Sequence, residues 1–201
     1  MKHHKYSPDF EFIVKPEEFN KYSDKEILQY CLGATMYMPG TKDFSQKILD
    51  NEIPGLTSMV FCFEDACPEN QVEEAERNVI HVLDVLSTAL ENGKLTYDNL
   101  PLIFCRVRSQ EQFIRFAEQL TTHHAKALTG INFPKFNAHN GNVYMFYLQK
   151  LNEKLGDILY GMPIIEDSEV AFRETRMTEL IGIKEILDKY KDIVLQVRVG
   201  A

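Results

Sequence analysis

The sequence predicts an α/β fold of the (β/α)8 TIM-barrel type, carried through about six β/α units. Three observations predict it. Short runs that are nearly continuous in apolar residues recur along the chain, and strands apolar on both faces belong to parallel sheets covered on both sides or closed into a barrel. Stretches with apolar residues at helical spacing alternate with these runs, as parallel connections require. Polar groups then gather where the apolar runs end: Glu64 and Asp65, Arg106 and Arg108, Lys135, Glu166 and Asp167, Arg198. A barrel mouth produces that recurrence, although a doubly wound sheet collects function at the same edge.

Residues up to about 22 are weakly patterned and read as an arm. Ser23-Asp24-Lys25-Glu26 has the form of a capping box and predicts a short helix over residues 23–31. Residues 1–32 thus form an arm and lead-in helix, and residues 33–201 the barrel domain. The first strand covers residues 34–38 and is closed by Pro39-Gly40; a helix over residues 41–51 follows, with Phe44, Ile48 and Leu49 on one side. The second strand, residues 58–63, runs straight into Glu64-Asp65-Ala66. A long helix over residues 69–91 carries Val72, Ala75, Val79, Val82, Leu83, Leu86 and Leu90 at helical spacing.

The third strand, residues 101–108, precedes a second capping-box form, Ser109-Gln-Glu-Gln112, and a helix with Phe113, Phe116 and Leu120. A fourth strand over residues 128–133 ends in Pro134-Lys135, and a polar loop at 137–142 leads into a helix ending near Leu155. The fifth strand lies in Tyr160-Gly-Met-Pro-Ile-Ile-Glu166-Asp167. One or two helices over residues 168–190 bury Leu180, Ile183, Ile186, Leu187 and Tyr190, and a sixth strand covers residues 192–199. A full barrel needs about 250 residues, with about 200 as a lower bound. The chain is therefore expected to stop before the barrel closes, and bare sheet edges would favour a homo-oligomer.

Composition narrows the function classes. A net charge of −8 without a Lys/Arg stripe excludes a nucleic-acid footprint. No run of apolar residues is long enough to span a membrane, and Met1-Lys-His-His-Lys lacks the apolar core of a signal peptide, so a cytoplasmic protein is expected. Cys31, Cys62, Cys67 and Cys105 form no CxxC pair and read as buried, reduced thiols. The pairs His3-His4 and His123-His124 read as exposed, and no Gly-rich phosphate loop, nucleophile elbow or zinc-helix motif is present.

Several strand-end residues can carry chemistry. Arg106 and Arg108 share a strand face with Phe104, while Ile103, Cys105 and Val107 face the other way. If the aliphatic face packs on helices, both guanidiniums point into the mouth as a fork for a carboxylate; the alternative is that one pairs with Glu64 or Asp65. Those two acids point to opposite sides of an extended strand, so one of them enters the site and the other caps or is solvated. Glu166 shares its face with Tyr160, Met162 and Ile164 and is either a metal ligand at the open face or a solvated or capping acid. Lys135 by itself reads as a surface lysine.

In order, Met38-Pro39-Gly40, Phe63-Glu64-Asp65-Ala66, Arg106-Val107, Pro134-Lys135 and Pro163-Ile-Ile-Glu166 resemble the citrate lyase beta-subunit and HpcH/HpaI aldolase family, C–C bond lyases on a TIM barrel. The likeness runs from about Gly33 to Ala201. It implies a Mg2+-dependent lyase or aldolase, with Mn2+ as the alternative ion, acting on a small-molecule keto acid or hydroxyacyl substrate, CoA thioesters included. On the family's pattern Glu166 is the metal ligand, and Arg106 grips the keto-acid product. Asp65 and Glu64 belong to the catalytic acid pair, and Arg108 and Lys135 stand where the substrate binds. Charge developing on an enolate oxygen would be stabilised by a hard cation with an arginine beside it.

Three positions depart from the family. Gly33-Ala34 stands where Arg-Ser is common, Arg108 stands where Asn is usual, and the metal-binding Asp would follow the sixth strand, beyond Ala201. The resemblance is closest to a divergent branch whose relatives occur in bacterial tellurite- and stress-response gene clusters. A non-catalytic barrel scaffold that binds a partner is the alternative function.

Overall fold

The computed structural model describes residues 9–14 and 17–200. Six parallel strands, β1 (Thr35–Pro39), β2 (Ser58–Cys62), β3 (Leu102–Arg106), β4 (Leu128–Phe133), β5 (Tyr160–Ile165) and β6 (Arg198–Val199), form one sheet in strictly sequential order. A doubly wound sheet reverses its strand order partway. This one never does, which decides for a barrel wall. Helices alternate with the strands: α1 (Lys25–Leu28), α2 (Ser45–Leu49), α3 (Val72–Glu91), α4 (Gln110–Gln119), α5 (Thr122–Ala125), α6 (Gly141–Leu155), α7 (Ser168–Ala171) and α8 (Arg173–Lys189).

The period-2 alternation along each strand sorts side chains into two separate cores. Outward, Met59, Phe61, Ile103, Cys105, Ile131 and Phe133 pack on Val79 and Leu83 of α3, Phe113 and Phe116 of α4 and Leu148 of α6. Inward, Val60, Leu102, Phe104, Tyr160 and Met162 pack on Phe19, Leu28 and Leu32 of the lead-in, which fills the floor of the barrel. Gly130 also faces inward, because a Cβ there would lie 2.1 Å from the Tyr160 carbonyl oxygen and 3.1 Å from the Phe104 ring.

Among the described residues no backbone ladder joins β6 to β1; side chains span the seam instead. Arg198 Nη1 donates to Tyr37 Oη at 2.7 Å and Nη2 to Thr35 Oγ1 at 3.1 Å, and Gln196 Nε2 donates to the Gln29 carbonyl at 3.1 Å. Six β/α units thus curl far enough for the last strand to touch the first.

Several elements differ from the sequence expectation. Asp24, not Ser23, caps α1: its carboxylate accepts the Glu26 N–H at 2.7 Å, while the Ser23 hydroxyl accepts from Asn20 N–H. The second capping box is half formed. Ser109 Oγ accepts the Gln112 N–H at 3.2 Å, but Gln112 Oε1 reaches past Ser109 to the Arg108 N–H. The Asp43 carboxylate accepts the Ser45 N–H at 2.8 Å and shortens α2 at its start. Of the apolar residues expected to be covered on α8 and just after it, Ile183 and Tyr190 are buried and the others half-buried.

The sixth strand shrinks to two residues, preceded by a 3-10 turn over Lys191–Ile193 and a single bridge from Val194 to Gly161. A strand paired on one side only has fewer ladder bonds to hold it extended, and Gln196 and Arg198 commit their side chains to the seam.

His124 is buried rather than exposed. It closes a capping box with Thr121 and meets Asp84 Oδ1 at 2.8 Å, while His123 meets Glu91 Oε1 at 3.1 Å. His3 and His4 lie outside the described residues. All four cysteines are free and buried, and burial pushes the Cys105 thiol far up. No helix among the described residues is long and apolar enough to cross a membrane.

Candidate active site at the barrel mouth

Arg106 ends β3 and continues the inner face that Phe104 begins. Its guanidinium lies among three carboxylates: Glu64, Asp65 Oδ2 at 3.1 Å and Glu166 Oε1 at 3.2 Å. All three follow the C-terminal ends of β2, which pairs with β3, and of β5, one strand further on, which the curl of the sheet brings round toward β3.

Glu64 is the buried member, 5% exposed. A buried carboxylate is tolerated only when paired, and Glu64 has two cations, Arg106 and Lys135 Nζ at 3.0 Å. Glu64 and Asp65 were expected to diverge. The strand stops at Cys62, so strict alternation no longer applies, and the turn closed by Cys67 N–H on the Glu64 carbonyl at 2.9 Å lets both acids reach Arg106. Asp65 stays open to solvent.

Lys135 follows β4 in a left-handed conformation, φ 48°, which a non-glycine residue adopts only under constraint. Its N–H donates to Glu166 Oε1 at 3.1 Å and its carbonyl accepts from Asn140 Nδ2 at 2.9 Å. The hydrogen bond and charge of Glu64 hold the Lys135 amine above its ordinary pKa, with Asp65 and Glu166 adding to the effect.

Arg108 is brought to a different place from Arg106. Its Nε donates to the Phe63 carbonyl at 3.0 Å and Nη2 to the carbonyls of Glu64 at 3.1 Å and Cys67 at 2.6 Å. The two-arginine fork does not form, because β3 ends at Arg106 and the chain turns before the next inward position. Arg108 clamps the loop that carries Glu64 and Asp65. Asp167 likewise turns away from Arg106. It caps α7 through the Glu169 N–H and accepts from Asn137 Nδ2 at 3.0 Å, and these bonds, Asn137 first, hold its carboxyl below the usual range.

Two residues of the site, Asn132 and Tyr37, escaped the strand-end reading, which includes Arg198. Asn132 of β4 pairs in register with Arg106 and is fully buried, with Nδ2 donating to Tyr37 Oη at 3.0 Å; Arg198 completes the group from β6. The signal was an asparagine inside an apolar run, two positions from Gly130.

Mg2+ is bound through one or two carboxylates, with waters and substrate completing the octahedron. Among the described residues no three His, Cys, Asp or Glu side chains are grouped to hold a metal. One carboxylate is suited to that sparser mode. Glu166 Oε1 faces Arg106 and Lys135, while Oε2 faces Gly200, where a Cβ would come within 2.6 Å of it. Glycine at 200 leaves that oxygen approachable, so the residues present fit a metal held mainly by Glu166.

A more enclosed cavity, about 340 Å3, lies at the opposite end between residues 53–56 and 98–101. Among the described residues no set of carboxylates and cations converges there as it does at the mouth. A family model described as C–C bond lyase of the TIM-barrel fold matches residues 26–201. No curated protein matches the chain.

Proposed function

Because the chain belongs to the C–C bond lyase family of the TIM-barrel fold, we propose that it is a Mg2+-dependent lyase or aldolase acting on a keto acid or hydroxyacyl substrate, in the manner of the citrate lyase beta subunit. The observation that carries this reading is Arg106, partly buried among Glu64, Asp65 and Glu166 at the mouth. Cleaving a C–C bond next to a keto acid puts negative charge on an enolate oxygen, and a fixed guanidinium stabilises it without reorganising. Glu64 fixes the plane of Arg106 and the reach of Lys135. Asp65, exposed on the rim, is the acid free to exchange a proton with substrate and solvent. Held at Glu166, Mg2+ or Mn2+ would supply Lewis-acid stabilisation of the same oxygen. Lys135, exposed beyond its Glu64 contact, is placed to meet an acidic group of the substrate, and Arg108 acts by holding the Glu64 loop in place.

Four buried free thiols support a reducing, cytoplasmic setting. Exposed Tyr30, Val197 and Val199 along the seam support self-association as a homo-oligomer. The test is calorimetric titration of Mg2+ with and without oxaloacetate. Oxaloacetate-dependent binding that is lost in Glu166→Gln is the expected result. No binding in either protein would move the assignment to a non-catalytic scaffold.

A further inference from the structure

Among the buried polar atoms without a hydrogen-bond partner are two on side chains paired across neighbouring strands, Arg106 Nε and Asn132 Oδ1; Glu64 Oε2 also lacks one but is ion-paired with Arg106. A buried amide oxygen left unpaired is costly, and the group next to it explains what it awaits. Tyr37 Oη accepts from both Asn132 Nδ2 at 3.0 Å and Arg198 Nη1 at 2.7 Å, so the tyrosine's own proton has no acceptor among the described residues.

A half-turn of the Asn132 amide resolves both deficits. Tyr37 then donates to Oδ1, the chain Arg198 to Tyr37 to Asn132 runs donor to acceptor throughout, and Nδ2 is released beside Arg106 Nε. Adjacent strands would then offer two N–H donors and no acceptor. Such a pair suits an anion. Arg198 strengthens the preference: among the described residues it meets the hydroxyls of Tyr37 and Thr35 and no carboxylate, so its charge is unbalanced. Phe104, Tyr160 and Met162 fill the layer beneath.

We propose that Asn132 is a specificity-determining residue that binds the substrate's carboxylate beside Arg106, with Tyr37 and Arg198 as positioning residues behind it. The proposal rests on the keto-acid reading above. It adds a discriminating contact within the barrel, distinct from the ion network at the rim.

The test titrates pyruvate and its uncharged amide, pyruvamide, into the full chain in Mg2+. The unaltered protein should prefer pyruvate. Asn132→Asp keeps the shape and sets a like charge against the ligand, so pyruvate affinity should fall at least about 10-fold with pyruvamide little changed. Tyr37→Phe removes the relay from a half-exposed position and should weaken pyruvate by roughly 3- to 10-fold, which keeps the test open if Asn132→Asp does not fold. Arg106→Lys separates the two claims. If it loses pyruvate while Asn132→Asp and Tyr37→Phe bind normally, the Asn132 inference is overturned and the keto-acid reading stands. If the unaltered protein binds neither pyruvate nor oxaloacetate, both are overturned.

Discussion

At the floor of the barrel Lys21 is buried beside one carboxylate, whereas at the mouth Arg106 is partly buried among three. The floor is closed electrically and geometrically. Lys21 Nζ meets the Ala125 carbonyl and Asp157 Oδ2 at 3.0 Å, Tyr22 Oη also meets Asp157 at 3.2 Å, and the Tyr22 ring lies against Tyr97. The mouth is left open. Three carboxylates face two cations, and Arg106 Nε and Asn132 Oδ1 stay unpaired. A saturated buried pair fixes a fold, whereas unsatisfied groups converging at strand C-termini await a ligand. Changes at the floor should therefore register in stability and changes at the mouth in binding.

The largest effect expected on stability is from Asp157→Ala. It strands a buried lysine and should cost about 3 kcal/mol in urea unfolding, with ligand affinity intact. Arg106→Lys is its counterpart: it keeps the charge that Glu64 needs but loses the planar fork, and should weaken oxaloacetate by roughly 100-fold, about 2.7 kcal/mol. Gly200→Ala should push Glu166 aside and lower Mg2+ affinity by about 10-fold, read by calorimetry, with little change in melting temperature.

Acidity sharpens the contrast at smaller amplitude. Burial, outweighing the attraction of Asp157, depresses the Lys21 pKa below its ordinary 10.5. Between that lowered value and 10.5 the unfolded chain binds more protons than the folded one, so stability should rise with pH across this window. The slope, at most about 1.4 kcal/mol per pH unit, should vanish in Lys21→Met. Lys135→Ala, acting on an exposed amine, should change stability by less than about 1 kcal/mol in the same assay.

The first five strands were legible because each is an apolar run whose ends are marked by polar or turn residues, and the helix contacts follow from the same alternation; the floor was not, since residues up to about 22 read as an arm whereas Phe19 and Lys21 are buried. The sixth strand was not: residues 192–199 read as a full strand, and only the curl of the sheet brings Gln29 and Tyr37 opposite Gln196 and Arg198, whose side chains then span the seam. The rim acids and Arg106 were legible as strand-end residues. Arg108 was misplaced because parity assumes a strand that continues, and β3 stops at Arg106. His124 was misread for a different reason, since Asp84 lies forty positions away and only the packing of α3 on α5 joins them. Asn132 is hidden by its own neighbours: one amide in an apolar run gains meaning only when register sets it opposite Arg106.

The most direct measurement is oxaloacetate titration at saturating Mg2+ into the unaltered chain, Arg106→Lys and Asp157→Ala, each with its unfolding curve. If the mouth is the binding site and the floor a structural lock, Asp157→Ala unfolds early yet binds as the unaltered chain does, and Arg106→Lys unfolds late yet binds roughly 100-fold more weakly. Affinity that instead tracks stability across all three proteins, or survives Arg106→Lys, would contradict the assignment of the mouth.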